Sequence, residues 1–387
     1  MLTMPNRAFH RLNHQLNHRS NRGLNRSRRR FLQTAVAGAS GFALSGCGWT
    51  LAKVQTAPVA QQVSDELHIY TWSNYIDQEL VNAFKAKTGI KVIFDIFDSN
   101  ETMLATIQAG KGGIYSVIYP SDYKVSQMIQ LGLLSQLDHS RLEGIANLLP
   151  RFQRSVHDPG NRYSVPVSWG TTGLVYNGEK LSDPPTDWSY LWQNKDKLTR
   201  RLTLMDDVRE VMGATLRSLG FSYNSSNANE LKQAYERLQD LKPAIATFTT
   251  DAWRDQIIAG DLLISMCYSA DAVSVMNQNK KLKYAIPKSG TSIWSDTMVI
   301  PNAAPNRDAA YEWLNFMLQP EVAAKVTERL FFATPNAAAF QKLPESLRSN
   351  VSLFPPELQI SKSESIAPLG KATLELYDQY WTKLTSG

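Results

Sequence analysis

Aromatic and acidic side chains meet in five short segments of this 387-residue chain. Tyr70-Thr71-Trp72-Ser73-Asn74-Tyr75 supplies three rings, and Ser121-Asp122-Tyr123 a hydroxyl, an acid and a ring. Asp206, Asp207 and Glu210 form an acidic cluster, Tyr268 lies three residues before Asp271, and Trp294 two before Asp296. No Lys or Arg recurs across the five. An ammonium group is favoured over the face of Trp or Tyr by ~0.5–2 kcal/mol per contact. A carboxylate adds a charge-assisted hydrogen bond, and ring walls bury the methylenes between amines at ~0.8 kcal/mol each. An anion would instead require Arg, Lys or helix N-termini. The residue types therefore point to a linear organic polycation. A single-charge amine or quaternary ammonium solute fits the rings equally well, but leaves several acids unpaired.

Each segment also has an ordinary reading. Trp72 and Tyr75 can be packing residues, Asp207 a helix cap, Tyr268 core, and Trp294 with Asp296 a hairpin corner. Only their agreement in type, and their common position beside strands, argues for a site. Catalysis finds less support. Asp206, Asp207 and Glu210 are the one acid cluster suited to a hydrolase, and outside the first 47 residues only His68, His139 and His157 remain, without metal-type spacing. Cys267 sits in the apolar run Leu262–Tyr268 and reads as a buried thiol rather than a nucleophile. The expectation is a binding protein with no cofactor and no metal.

The elements that must carry these residues alternate between strand and helix. Strand patterns cover 67–70, 90–97, 115–119, 165–176, 202–205, 262–268, 283–287 and 298–300. Helical spacing covers 80–88, 100–108, 124–131, a stretch from Asp206 through Leu219, 231–241, 307–318, 320–330 and 371–384. Pro320 suits a first helical position, and Gly89, Gly110 and Gly132 suit helix ends. Such alternation predicts an α/β fold whose first part is largely parallel, with ligands beyond the carboxyl ends of the strands.

The N-terminus reads as an address. Ser27-Arg28-Arg29-Arg30-Phe31-Leu32-Gln33 has the twin-arginine export pattern, and Leu44-Ser45-Gly46-Cys47 the form of a lipobox whose Cys47 takes lipid. The apolar stretch 34–44 is short of the ~20 residues that span a bilayer. Residues 48–65 read as a flexible tether. Residues 1–47 hold eight Arg and no acids; removing them leaves 33 basic residues against 35 acidic ones, so the pI of about 9.1 belongs to the leader. Nucleic-acid binding, which needs a basic face on the folded domain, is excluded.

At these residues the chain resembles the spermidine/putrescine-binding proteins of bacterial ATP-driven uptake systems. The motifs are Tyr70–Tyr75, Asp98-Ser99-Asn100-Glu101-Thr102-Met103, Pro120-Ser121, Asp206-Asp207-Val208-Arg209-Glu210, Ile293-Trp294-Ser295-Asp296 and Thr334-Pro335-Asn336. The resemblance runs from about Leu67 to Leu384. It implies a two-lobed periplasmic-binding-protein fold with two interlobe crossings (type II), with one lobe of 66–170 plus 297–345 and the other of 171–296 plus 346–387. It further implies that Trp72, Tyr75 and Tyr123 wall the amine chain, that Ser73 and Ser121 add hydroxyls, and that Asp207 and Glu210 hold one ammonium. Asp296 would hold another, with Trp294 stacked between. Tyr268 stands where spermidine-type members have Trp, and Asp271 matches an acid of putrescine-type members. Phe332 replaces a Tyr, and no Gln is found around 364–369. Expected partners are a polyamine, the permease subunits of an ABC transporter and, through the lipid, the periplasmic face of a membrane. The protein itself would be a monomer. Delivery to a sensory receptor is the alternative to transport.

Overall fold

The computed structural model describes residues 65–73 and 75–386. The twin-arginine pattern, the lipobox with Cys47, nearly all of the tether and Asn74 lie outside them.

Among the described residues nine strands form one hydrogen-bonded sheet: β1 (Glu66–Trp72), β2 (Lys91–Phe97), β3 (Val117–Ile118), β4 (Ser164–Asn177), β5 (Leu202–Leu204), β6 (Ile245–Phe248), β7 (Ile264–Tyr268), β8 (Leu282–Ala285) and β9 (Ile293–Val299). Their order is β2-β1-β3-β9-β4-β7-β5-β6, with β8 on β4. The flanks are parallel, β2-β1-β3 on one side and β7-β5-β6 on the other. The centre is antiparallel, so the sheet as a whole is mixed, with the first three strands parallel as expected. The long strand β4 joins the two halves: Ser164 to Thr171 pair with β9, and Thr172 to Asn177 pair with β7 and β8. This is the mixed α/β architecture of the two-lobed fold. The boundary drawn from sequence at 296/297 falls inside β9.

Helices cover both faces of the first half because its strands are apolar on both sides. Leu67 and Ile69 of β1 pack with Phe84 of the helix Gln78–Thr88 and Trp313 of the helix Arg307–Leu318. Tyr70, one residue on, points the other way to Met103 and Leu104 of the helix Asn100–Gln108 and Met128 of Asp122–Gln130. A separate core, with Leu202, Leu216, Leu231, Leu241 and Tyr377, unites the second half with the helices Val208–Ser218, Ala228–Leu241 and Lys371–Thr385. Helix starts are fixed by side chains: Ser99 accepts from Thr102 N and Asp207 from Arg209 N and Glu210 N.

Candidate functional site

Asp296 and Trp294 sit within β9, not before it as the pattern suggested; β9 begins at Ile293, five residues ahead of the expected start. Strand alternation sends Trp294 and Asp296 to one face, and their partners across the ladder are Gly170 and Ser168 of β4. A Cβ at Gly170 would stand 2.3 Å from Trp294 Cζ2 and 2.8 Å from Ser269 Oγ, so only glycine lets the indole lie across β4.

Around Asp296 the first sheet half supplies hydroxyls. Tyr75 donates to Oδ2 at 2.6 Å and Ser121 to Oδ1 at 2.7 Å. Ser168 Oγ contacts the Tyr75 hydroxyl. Asn100 holds this arrangement in place, accepting from Ser121 N and donating to Ser121 Oγ and Tyr123 Oη, each at 3.1 Å. Burial raises the Asp296 pKa, against the two hydroxyls that stabilise its anion.

The second half presents Glu210 on the first turn of the helix Val208–Ser218. Glu210 is 1% exposed. Its carboxylate accepts from Tyr223 Oη at 2.6 Å and from Ser292 Oγ at 2.8 Å. Tyr223 reaches it by lying on Gly213, where a Cβ would meet the ring at 2.1 Å. Burial, and then the neighbouring Asp207, push Glu210 up to about 7. Asp207 is the N-cap: its Oδ1 accepts from Arg209 N at 2.9 Å and Glu210 N at 3.1 Å, and burial raises its pKa. The capping reading of Asp207 therefore holds, and Asp207 also carries charge beside Glu210. Asp206 is exposed.

The two halves meet across rings. Tyr268, at the end of β7, packs edge-on to Trp294 at 5.4 Å between centroids; Trp294 meets Phe332 at 5.7 Å, and Phe332 meets Tyr75 at 5.2 Å. The Tyr268 phenol is pushed well up by burial and then by Asp207, Glu210, Tyr123 and Asp296, so carboxylates from both halves act on one ring. Among the described residues no Lys or Arg lies within ion-pair distance of Asp207, Glu210 or Asp296. Arg209, between two of them in sequence, turns away to Asn224 Oδ1 and Ala367 O and over the Tyr377 ring.

Other expected residues have different surroundings. Trp72 packs against Phe97 at 4.4 Å and Ser73 is exposed. Asp271 has its own cation: Arg254 Nη2 donates to Oδ1 at 2.8 Å. At 364, where a Gln was sought, Glu364 accepts from Arg217, Ser222 and Tyr223 N. Sequence reasoning missed Ser168, Tyr223 and Ser292 as partners of the acids. Ser292 was within reach, because it stands two residues before Trp294, immediately ahead of β9. Tyr223 gave no local signal.

Residues 79–354 match the family described as bacterial extracellular solute-binding protein. The spermidine/putrescine-binding periplasmic protein of Salmonella typhimurium is 36% identical over 326 residues, 84% of this chain and 92% of that protein. The putrescine-binding periplasmic protein PotF of Escherichia coli is 31% identical over 339 residues, 83% and 91% of the two chains. The crystal structure of the spermidine/putrescine substrate-binding protein PotD from Streptococcus pneumoniae superimposes with a TM-score of 0.76 at 35% identity, covering 83% of this chain and 98% of that one. With a two-lobed α/β fold, a site built where its two sheet halves meet and these relatives, the chain belongs to the bacterial extracellular solute-binding proteins.

Proposed function

We propose that this protein captures a linear polyamine, spermidine or putrescine, and delivers it to an ABC importer. One observation carries the reading: Asp207, Glu210 and Asp296 converge on the Tyr268–Trp294 wall with no Lys or Arg among the described residues in ion-pair distance of them. Unpaired buried acids are costly, and a ligand carrying two or more ammonium groups offsets that cost. Asp296, with Tyr75 and Ser121, would take one ammonium; Glu210, with Asp207, would take another; Trp294, Tyr268 and Tyr123 would flank the methylenes. Trp72 and Ser73 stand nearer the rim in this reading, and Asp271 contributes through Arg254 rather than by direct contact.

The lobes would divide as the sequence suggested, near 66–170 plus 297–345 and 171–296 plus 346–387. Strands β4 and β9 would be the crossings about which they close. The twin-arginine pattern and Cys47 support export and lipid anchoring at the periplasmic face of the membrane. No described helix is long and apolar enough to cross a membrane. A monomer without catalytic activity completes the proposal.

Calorimetric titration of residues 48–387 against spermidine, putrescine, spermine and glycine betaine tests it. Saturable binding of spermidine or putrescine, lost in Asp296→Asn and Glu210→Gln, is the expected result. Binding of betaine alone, or of none of the four, sinks the polyamine assignment. Loss of labelled polyamine uptake on deleting the gene separates transport from sensing.

A further inference from the structure

The Tyr223 hydroxyl reaches Glu210 from a loop that has no regular structure of its own. That loop joins the helices Val208–Ser218 and Ala228–Leu241. What fixes it lies 141 residues further along the chain, at Glu364. One carboxylate oxygen of Glu364, Oε1, accepts from Tyr223 N at 3.0 Å and from Arg217 Nη1 at 3.1 Å. The other, Oε2, accepts from Ser222 Oγ at 2.6 Å and Asn224 Nδ2 at 3.3 Å. Asn224 closes the loop onto the same segment, donating to Ser365 O at 2.9 Å and accepting from Ala367 N at 2.7 Å.

The backbone of Glu364 holds the second donor to Glu210. Ser292 and Glu364 form a short parallel bridge, in which Ile293 N donates to Glu364 O and Glu364 N to Thr291 O, each at 2.9 Å. Gly290 permits this approach: its φ is 102°, and a Cβ there would stand 2.2 Å from Lys362 O. Ser292 Oγ then meets both Glu210 oxygens, at 2.9 and 2.8 Å. The two hydroxyls on Glu210 thus hang from one residue, Tyr223 from its side chain and Ser292 from its main chain. That residue stands where the chain passes between cores, since Ile360 packs with Phe152 and Trp169, and Ile366 with the core of the second half. Glu364 differs from Asp207, Glu210 and Asp296 in having a cation of its own, Arg217, and four donors for its four acceptor positions. Nothing on it is left for an ammonium.

We propose that Glu364 is a positioning residue for amine capture: its carboxylate sets the 222–224 loop so that the Tyr223 hydroxyl meets Glu210, without touching the ligand. The inference rests on the polyamine reading of Glu210 given above. Its physical basis is that a carboxylate takes an ammonium as the anion, and the Tyr223, Ser292 and Thr172 hydroxyls favour that anion against burial and the charge of Asp207. A hydroxyl on an unanchored loop would have to be ordered at each binding event. Glu364 orders it beforehand.

Spermidine and putrescine titrations of the parent and of Glu364→Ala, Tyr223→Phe and the double variant test this. Each single change should weaken binding about tenfold, as loss of one hydrogen bond to a charged group does. The double variant should be no weaker than either alone, because both remove the same hydroxyl contact. Glu364→Gln keeps an acceptor for Tyr223 N and should recover most of the affinity. Losses that multiply to about a hundredfold in the double variant overturn the relay, since Glu364 would then act independently of Tyr223. Unchanged affinity in Glu364→Ala overturns it too. If Glu364→Ala does not fold, Glu364→Asp takes its place in the cycle, drawing the carboxylate back by one methylene beside Arg217. A second readout needs no ligand. With ¹³C-labelled glutamate, the Glu210 carboxyl should titrate above its midpoint of about 7 in Glu364→Ala, because losing a hydroxyl disfavours the anion. Removing the Glu364 charge by itself would move that midpoint down, so an unmoved or lowered midpoint overturns the relay. If the parent binds neither amine, the polyamine assignment falls, and the carboxyl titration still decides whether Glu364 governs Glu210.

Discussion

Glu210 is the residue whose chemistry is most exposed to pH. Its folded pKa of about 7 stands above the ordinary 4.5, because the carboxylate is buried beside Asp207. A bound ammonium favours the anion, so amine capture should expel a proton. Affinity should rise from pH 6 to pH 8 by up to about tenfold per unit below the folded pKa. Calorimetry in two buffers of different ionisation enthalpy measures that release directly. Stability of the ligand-free protein runs the other way. An acid with a raised pKa contributes stability that is whole below 4.5 and lost as pH climbs through about 7, on the order of 3 kcal/mol at most. Glu210→Gln should therefore melt higher than the parent at pH 8 and alike at pH 4.5, while losing the amine. A lower melting temperature at pH 8 would mean that the Tyr223 and Ser292 hydrogen bonds outweigh the charge. At the other end, Tyr75→Phe removes one of two hydroxyls holding Asp296. It should weaken amine binding by about 1–3 kcal/mol, without changing the proton release at Glu210.

At the scale of elements, two glycines set where the rings go. Gly213 places the helix Val208–Ser218 directly under Tyr223. Gly213→Ala is favourable for the helix by propensity but drives a methyl into the ring. It should cost about 1–3 kcal/mol in chemical denaturation and reduce amine affinity through the displaced Tyr223–Glu210 bond. A neutral result would mean that the ring slides aside freely. Gly170→Ala meets the Trp294 indole and Ser269 instead. There the loss should appear mainly in amine affinity, tenfold or more, because β4 retains its ladder and the indole can swing outward. The caps at Ser99 and Asp207 serve the same end, since each starts a helix whose first turn carries a site residue, Asn100 or Glu210.

The whole molecule is two sheet halves with separate cores, joined along β4 and β9. In the proposed function, ligand contacts to Asp296 on one side and Glu210 on the other would bind the joined state better than any state in which the halves part. A ligand can move such an equilibrium only by its differential affinity. Small-angle scattering should therefore show a smaller radius of gyration with a saturating polyamine, and no change in Glu210→Gln at the same concentration. An unchanged radius in the parent would point to a rigid scaffold.

Periodicity and capping made most of the elements legible in the sequence. The helices 100–108, 307–318 and 320–330 run between the residues expected, because Ser99, Asn306 and Pro320 mark their starts and the apolar spacing marks their length. Residue type alone also pointed to the ligand class proposed, since acids and rings without a recurring cation suit few solutes. The sequence did not show which partner each acid finds. Asp207, Asp271 and Glu210 look alike as letters near strand ends, yet one caps a helix, one meets Arg254, 17 residues earlier, and one is buried against Tyr223 and Ser292. β6 was missed for a related reason: Ile245–Phe248 is four residues at the sheet edge, too short for its own pattern to specify. Local sequence sets φ/ψ preferences and the spacing of apolar faces. Pairings across tens to hundreds of residues are chosen only when the cores close, and those pairings decide which charges are left for a ligand.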